Sequence, residues 1–392
     1  MATLTHRAWS LKRILDTVEE TSHAFLLPAA LRNRLGEYDP PAIEAELARI
    51  QVEIDAIAFE LYGFDEADRA AVLGQAGNLE ATSETAEADD EGEDDEPNTP
   101  ADQQSALLSW CVGVAFGRFD IRLATGERAP PPEPEPFDPL PLRSPGMLPP
   151  ETEPFHTYPG ILVDDPGHPH DLTRLVEAIV ERLDYPLPPE LRRWLQRDFF
   201  PYHLQRYSKS RCQAPIYWPL TTLSGGYTLW LYYPRLTDQT LYTAINDFLE
   251  PKLKQVTERL TALRTLANRN RPQEKELEQL TDIELELKAL RDELLRLAPV
   301  WKPNLNDGVQ ITAAPLWKRF RLPKWQKTLK ETWQKLERGD YDWAHLAYHF
   351  WPERVREKCR HDKSLAIAHN LEALYEAPPE PANKKRGRQR RV

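Results

Sequence analysis

Cysteine is scarce and scattered: Cys111, Cys212 and Cys359 lie far apart and form no CxxC pair. That excludes a disulfide framework or a cysteine-built zinc site as the organising device, and it fits a reducing compartment, so a cytoplasmic protein is expected. No apolar run approaches the roughly 18 residues of a membrane span, and the N-terminus lacks the apolar core of a signal peptide. No nucleophile-elbow or P-loop pattern occurs. His345 and His349 stand one helical turn apart, but the intervening Leu346-Ala347-Tyr348 lacks the glutamate of a zincin motif. Two histidines on a half-buried helix are the plain reading. His168 and His170, flanking Pro169, receive no role, and no metal ligand is expected. Scattered acids and lysines show no nuclease arrangement.

What is present is room for two or three domains, since the chain has 392 residues. Thirty-six prolines are nearly twice the usual share of about 5%, so irregular segments are substantial. The net charge of −12 argues against a nucleic-acid partner only until it is localised. Residues Glu84 to Glu96 hold nine acids and no base, which leaves 53 acidic against 50 basic residues elsewhere. The acidic excess is therefore local.

The chain divides by pattern into a mainly α protein with small β elements (α+β). Residues 1–73 form a helical N-terminal segment, with Ile43, Leu47, Ile50, Ile54, Ile57 and Leu61 as a heptad seam that a helix around Trp9 to Val18 covers. Pro40-Pro41 suits its start and Gly63 its stop. Residues 74–104 are an acidic linker whose composition implies disorder. Residues 105–124 are a helical island with Leu107, Leu108, Cys111, Val112, Ala115 and Phe116 on one face. Residues 125–170 read as a proline-rich linker crossing a surface. Residues 171–250 make a central domain with a β-hairpin, and 251–299 an antiparallel helical hairpin broken at Pro272, with Arg264, Arg269 and Arg271 at its tip. Such an arm either braces domains or reaches along a DNA backbone. Residues 300–376 form a C-terminal domain in which Val309, Ile311 and Ala313 alternate as a short strand. Residues 377–392 are a basic tail of disordered composition, including Lys384, Lys385 and Arg386.

The central stretch from Tyr202 to Tyr233 carries a cationic cluster, Arg206, Lys209 and Arg211. An aromatic step, Tyr217 and Trp218, and a Ser224-Gly225-Gly226 turn follow. Alternating residues on both sides of the turn predict a β-hairpin. Basic side chains ahead of aromatics suit a phosphate-facing surface. The other reading is a hairpin that seals a core, with the basic residues as its solvated rim.

Beyond these patterns, SKSR, APIYW and SGGYTLWLYY in this stretch resemble the C-terminal half of large adenine-specific DNA methyltransferases of phage defence. These are the PglX-like enzymes of BREX, the DISARM methyltransferase and their Eco57I-like type IIG relatives. LKRILDTVEETSHAFLLPAAL, EAELARIQVEIDAIAFELYGF, SWCVGVAFGRF, LNDGVQITAAPL, GDYDWAHLA and DKSLAIAH are similar to further segments of that group. The resemblance runs from Leu11 to Leu371, interrupted by the acidic and proline-rich stretches. It departs from the family in having Cys212 where a further basic residue is expected, and in having proline-rich sequence where a recognition region would stand.

The resemblance implies DNA and S-adenosylmethionine, yet the chain has no glycine-rich turn after a strand. Its nearest match to the (N/D)PP(Y/F) loop that stacks a flipped adenine is Asp39-Pro40-Pro41-Ala42, which lacks the aromatic. No cofactor is expected in this chain; S-adenosylmethionine belongs to a presumed catalytic partner. The expectation is a non-catalytic DNA-recognition or clamp portion of an adenine-N6 methyltransferase, inactive alone. Its expected partners are double-stranded DNA and a separate methyltransferase chain or other defence-complex proteins. Arg206, Lys209, Arg211, Tyr217, Trp218, Lys384, Lys385 and Arg386 are the expected DNA contacts. The alternative is a protein-interaction scaffold of a defence complex without sequence-specific DNA readout.

Overall fold

The computed structural model describes residues 1–72, 99–158, 160–209 and 212–376. Arg211, the acidic block from Glu84 to Glu96, and the tail with Lys384, Lys385 and Arg386 lie outside the described residues. The described residues are 60% helical with small antiparallel sheets, the mainly α class expected from the sequence. Two compact units share it, Met1–Thr157 with Leu172–Tyr202, and Tyr158–Asp171 with His203–Val392.

In the first unit, α1 (Ala2–Asp16) packs on α2 (Pro40–Tyr62). The side chain of Asp39 accepts from the Ala42 N–H, and the two prolines occupy first-turn positions where no amide donor is needed. Gly63 ends the helix at φ 66°. Ile50 is buried, but Leu61 and Tyr62 at the far end are 72% and 79% exposed. Of the expected seam, Ile50 is thus buried, Ile43, Leu47, Ile54 and Ile57 are half-buried, and Leu61 is open.

Helix α3 (Pro100–Ala115) is the centre of this unit. Leu107, Leu108, Cys111, Val112, Ala115 and Phe116 are all buried, and each large apolar side chain so buried contributes about 1.5–3 kcal/mol. It packs against α4 (Leu172–Arg182) and a short helix at Ala29–Arg32. A carboxylate at this depth needs partners, and Glu20 accepts from Ser109 Oγ at 2.8 Å and Arg118 Nη1 at 2.9 Å.

The proline-rich segment departs from expectation. Phe137 and Leu142 are almost fully exposed, as on a surface linker, but Gly146 N–H donates to Phe25 O and Met147 bridges to Phe119. Farther on, Ile161–Asp164 forms β1, whose Ile161, Leu162 and Val163 are buried. Three consecutive apolar residues fit a strand buried on both faces, and flanking prolines do not prevent a strand this short.

In the second unit, β2 (Ser208–Lys209) and β3 (Cys212–Gln213) make a small hairpin, with Lys209 opposite Cys212. Strands β4 (Tyr217–Thr221) and β5 (Thr228–Tyr232) form the predicted larger hairpin, and β1 joins β5 to give the order β1-β5-β4. Pro219 is tolerated because β4 is an edge strand, where a missing N–H costs no ladder bond. Gly225 takes φ 79° in the turn, and Glu286 accepts from Ser224 N–H and Oγ.

Helices α5 (Glu250–Thr265) and α6 (Arg271–Leu297) form the expected antiparallel arm. Their lengths are about 24 and 40 Å at 1.5 Å per residue. Leu253, Val256, Leu260 and Leu263 are buried on one helix, and Leu287, Leu290, Leu294 and Leu297 on the other. Pro272 does not merely break the chain; it lies in the first turn of α6, behind an Asn270–Gln273 capping box.

The strand expected at Val309 to Ala313 is instead a helix, α7 (Val309–Ala313). Gly308, at φ 85°, follows a 3-10 turn and starts it. Ile311, Thr312 and Ala313 are all buried, a run that the in-and-out alternation of a half-buried strand does not produce. Later helices include α8 (Pro323–Arg338), α9 (His345–Phe350) and α10 (Pro352–His361). Arg354 of α10 donates to the Leu336 and Glu337 carbonyls at the end of α8 and pairs with the buried Asp342. No helix among the described residues is long and apolar enough to cross a membrane.

Candidate nucleic-acid interface

Tyr217 and Trp218, expected beside phosphates, have no exposed surface. They are core residues, because β4 is buried along its whole length. Tyr217 stacks across the hairpin on Tyr232, and its backbone N–H, with that of Ile216, donates to His203 Nε2. Trp218 donates from Nε1 to Pro215 O at 2.8 Å and packs on Tyr233 and Phe320. Phe320 in turn meets Trp325 edge-on at 6.2 Å. The aromatic step therefore holds α8 in place rather than facing a ligand.

Of the expected cationic cluster, Lys209 is exposed on β2, while Arg206 is half-buried and already engaged. The hairpin carrying Lys209 is seated by Gln213. Its backbone carbonyl accepts from Gln310 Nε2 at 3.2 Å, and its side-chain oxygen accepts from Thr328 Oγ1 of α8 at 3.3 Å.

Helix α8 is where positive charge collects. Trp325, Leu329, Thr332 and Leu336 are buried at helical spacing, which turns Lys324, Lys327 and Lys330 to solvent. Lys318 and Arg321, in the turn before it, are exposed too. The half-buried Trp317 has two lysine ammoniums over its ring, Lys318 at 5.7 Å and Lys330 at 5.4 Å. Arg321 lies over Gly225, where a Cβ would collide with the guanidinium.

Several other cations of this unit have carboxylate partners: Arg259 with Glu276, Lys288 with Glu284, Arg291 with Glu250, and the buried Arg319 with Glu293. The side-chain hydrogen bond from Arg259 holds the Glu276 carboxyl below its usual range, against an opposing effect of desolvation. Among the described residues Lys318, Arg321, Lys324, Lys327 and Lys330 make no ion pair. Their charge is left for something outside the unit. Residues 317–338 contain eight bases and two acids, a bias visible in the sequence but masked there by the more conspicuous aromatic stretch.

The basic tip of the arm is exposed at Arg264, Arg269 and Arg271, and Arg269 donates to Leu263 O. Of the cysteines, Cys111 and Cys359 are buried, and burial pushes both thiols up, whereas Cys212 is exposed on β3 opposite Lys209. The surface is built for electrostatic attraction with aromatic support, the chemistry that meets a phosphate backbone. No protein-family model matches the chain, and neither does any curated protein.

Proposed function

We propose that the chain is a non-catalytic DNA-holding portion of a PglX-like or type IIG-like adenine-N6 methyltransferase system, working with a separate S-adenosylmethionine-dependent chain. The observation that carries the DNA-holding part is the row of exposed cations on and before α8 without carboxylate partners, flanking Trp317. Lys209, Lys318, Arg321, Lys324, Lys327 and Lys330 contact phosphates in this reading, with Arg211 and the tail residues Lys384, Lys385 and Arg386 as additional contacts. Phosphate contacts set affinity and position; they do not read sequence. The methyltransferase part rests on the sequence resemblance alone.

A second reading, a protein-interaction scaffold, has its support in the first unit, where Val52, Leu61 and Tyr62 of α2 are each at least 70% exposed. Apolar residues left open on one helix suit a partner helix of the catalytic chain.

Anisotropy titration of a labelled duplex over a salt series, with and without the residues after Pro381, separates the readings. Binding that survives removal of the tail and weakens steeply with salt supports a DNA surface on the folded unit. Absence of DNA binding, with salt-insensitive capture of a methyltransferase chain, favours the scaffold.

A further inference from the structure

Helix α9 starts at a fixed point. The carboxylate of Asp307 accepts from the backbone N–H groups of His345 and Leu346, both at 2.8 Å. Leu346 and Ala347 are buried, so the opposite side of the helix, carrying His345 and His349, is turned outward. His345 is exposed and His349 half-buried. The four-residue spacing puts the two rings together, with centroids 4.6 Å apart and planes 72° to one another. Their Nε2 atoms are 3.0 Å apart.

That separation is a coordination bite. With metal–nitrogen bonds of about 2.0–2.1 Å, two nitrogens 3.0 Å apart subtend about 91–97° at the metal. This is the angle between neighbouring positions of an octahedral or tetragonal ion, and it is narrower than a tetrahedral angle. Neighbouring donors are otherwise occupied: Asp307 by the two backbone N–H groups, and His369 by a 2.6 Å bond from Nε2 to Asp342 O. Among the described residues no group of three or more His, Cys, Asp or Glu side chains is set to hold a metal. A pair is all that this surface supplies.

We propose that His345 Nε2 and His349 Nε2 chelate a divalent first-row transition ion of tetragonal preference, Ni²⁺ or Cu²⁺. The ion's other positions face outward and take water or a donor from a partner molecule. Because the helix start is pinned by Asp307, little ordering is needed on binding. This site is independent of the phosphate-facing surface.

The test is calorimetric titration of the full chain with NiCl₂, beside His345→Ala, His349→Ala, His349→Gln and a control, His361→Ala, whose imidazole is exposed on α10. One site per chain is expected, weakened roughly tenfold or more by each change at His345 or His349 and unchanged in the control. The thermal midpoint without metal should match wild type in His345→Ala and His349→Gln, which shows that a lost site is not a lost fold. Ni²⁺ affinity unaltered by substitution at His345 and His349 overturns the proposal. So does absence of Ni²⁺ binding by the wild-type chain up to about 1 mM, which would leave the pair as an ordinary N–H···N hydrogen bond.

Discussion

Replacing Lys324, Lys327 and Lys330 together by glutamine removes three charges from α8 while leaving its buried side, Trp325, Leu329 and Leu336, untouched. If the five cations on and before α8, Lys318, Arg321, Lys324, Lys327 and Lys330, each neutralise one phosphate, then apart from Lys209, Arg211 and the tail they make log K fall with log salt at a slope of about −4.5. Affinity then drops about 500-fold between 50 and 200 mM salt. With three cations gone the slope becomes about −1.8, and the same salt step costs only about 12-fold. The helix itself should tolerate the change, since exposed substitutions away from caps shift stability by about 0.5 kcal/mol or less. The one specific loss is the Lys330 ammonium over Trp317, about 0.5–1 kcal/mol. Anisotropy titration at four salt concentrations measures the slope, and thermal unfolding verifies the fold. A triple variant with wild-type slope and affinity would refute the assignment of α8 as the phosphate surface.

Three further outcomes follow from the packing. Leu290→Ala, in the fully buried seam of the helical arm, should cost about 2–5 kcal/mol in urea unfolding; a loss below 1 kcal/mol would mean that the seam is not packed as described. Gly225→Ala should destabilise by about 1 kcal/mol or more, because φ 79° disfavours a Cβ and Arg321 must move aside; equal thermal midpoints would count against that turn. Burial alone would raise the Asp120 carboxyl, but the hydrogen bonds from Arg122 and Arg128 outweigh it and hold the group below its usual 3.8. Its contribution is therefore full above that value and is lost as pH falls through the folded one. Asp120→Asn should accordingly destabilise the chain at pH 7, with the gap to wild type closing in strongly acidic solution.

Much of the fold was legible wherever one periodicity ran uninterrupted. The leucine seams of α5 and α6, the hairpin around Gly225 and the apolar face of α3 each repeat at the spacing of the element they form. The misreadings share a cause. Val309, Ile311 and Ala313 alternate over too short a span to separate a strand from a helix turn, and Gly308 decided the matter through backbone geometry. Ile161–Val163 was hidden by the prolines around it, because strand pairing with distant β5 is invisible in local composition. At the candidate surface, aromatic residues next to arginines suggested contact with a ligand. Whether a tryptophan faces outward depends on what packs over it, and Phe320, about a hundred residues later, covers Trp218. The lysines of α8 were readable as a charge bias, but only the burial of Trp325, Leu329 and Leu336 shows which way they point.

The pairing of β1 with β5 has a consequence for biosynthesis. Ile161 to Asp164 leave the ribosome well before Thr228 to Tyr232, and the helices from Leu172 to Tyr202, which belong to the other unit, are made in between. At about 5–20 residues per second the nascent strand waits several seconds for its partner. During that time its apolar run has an open edge, a template for pairing with other chains. The two units are also interleaved along the polypeptide, so no single cleavage point yields both intact. Slowed translation between residues 165 and 228 should therefore lower the soluble yield more than the same pause placed after Tyr232.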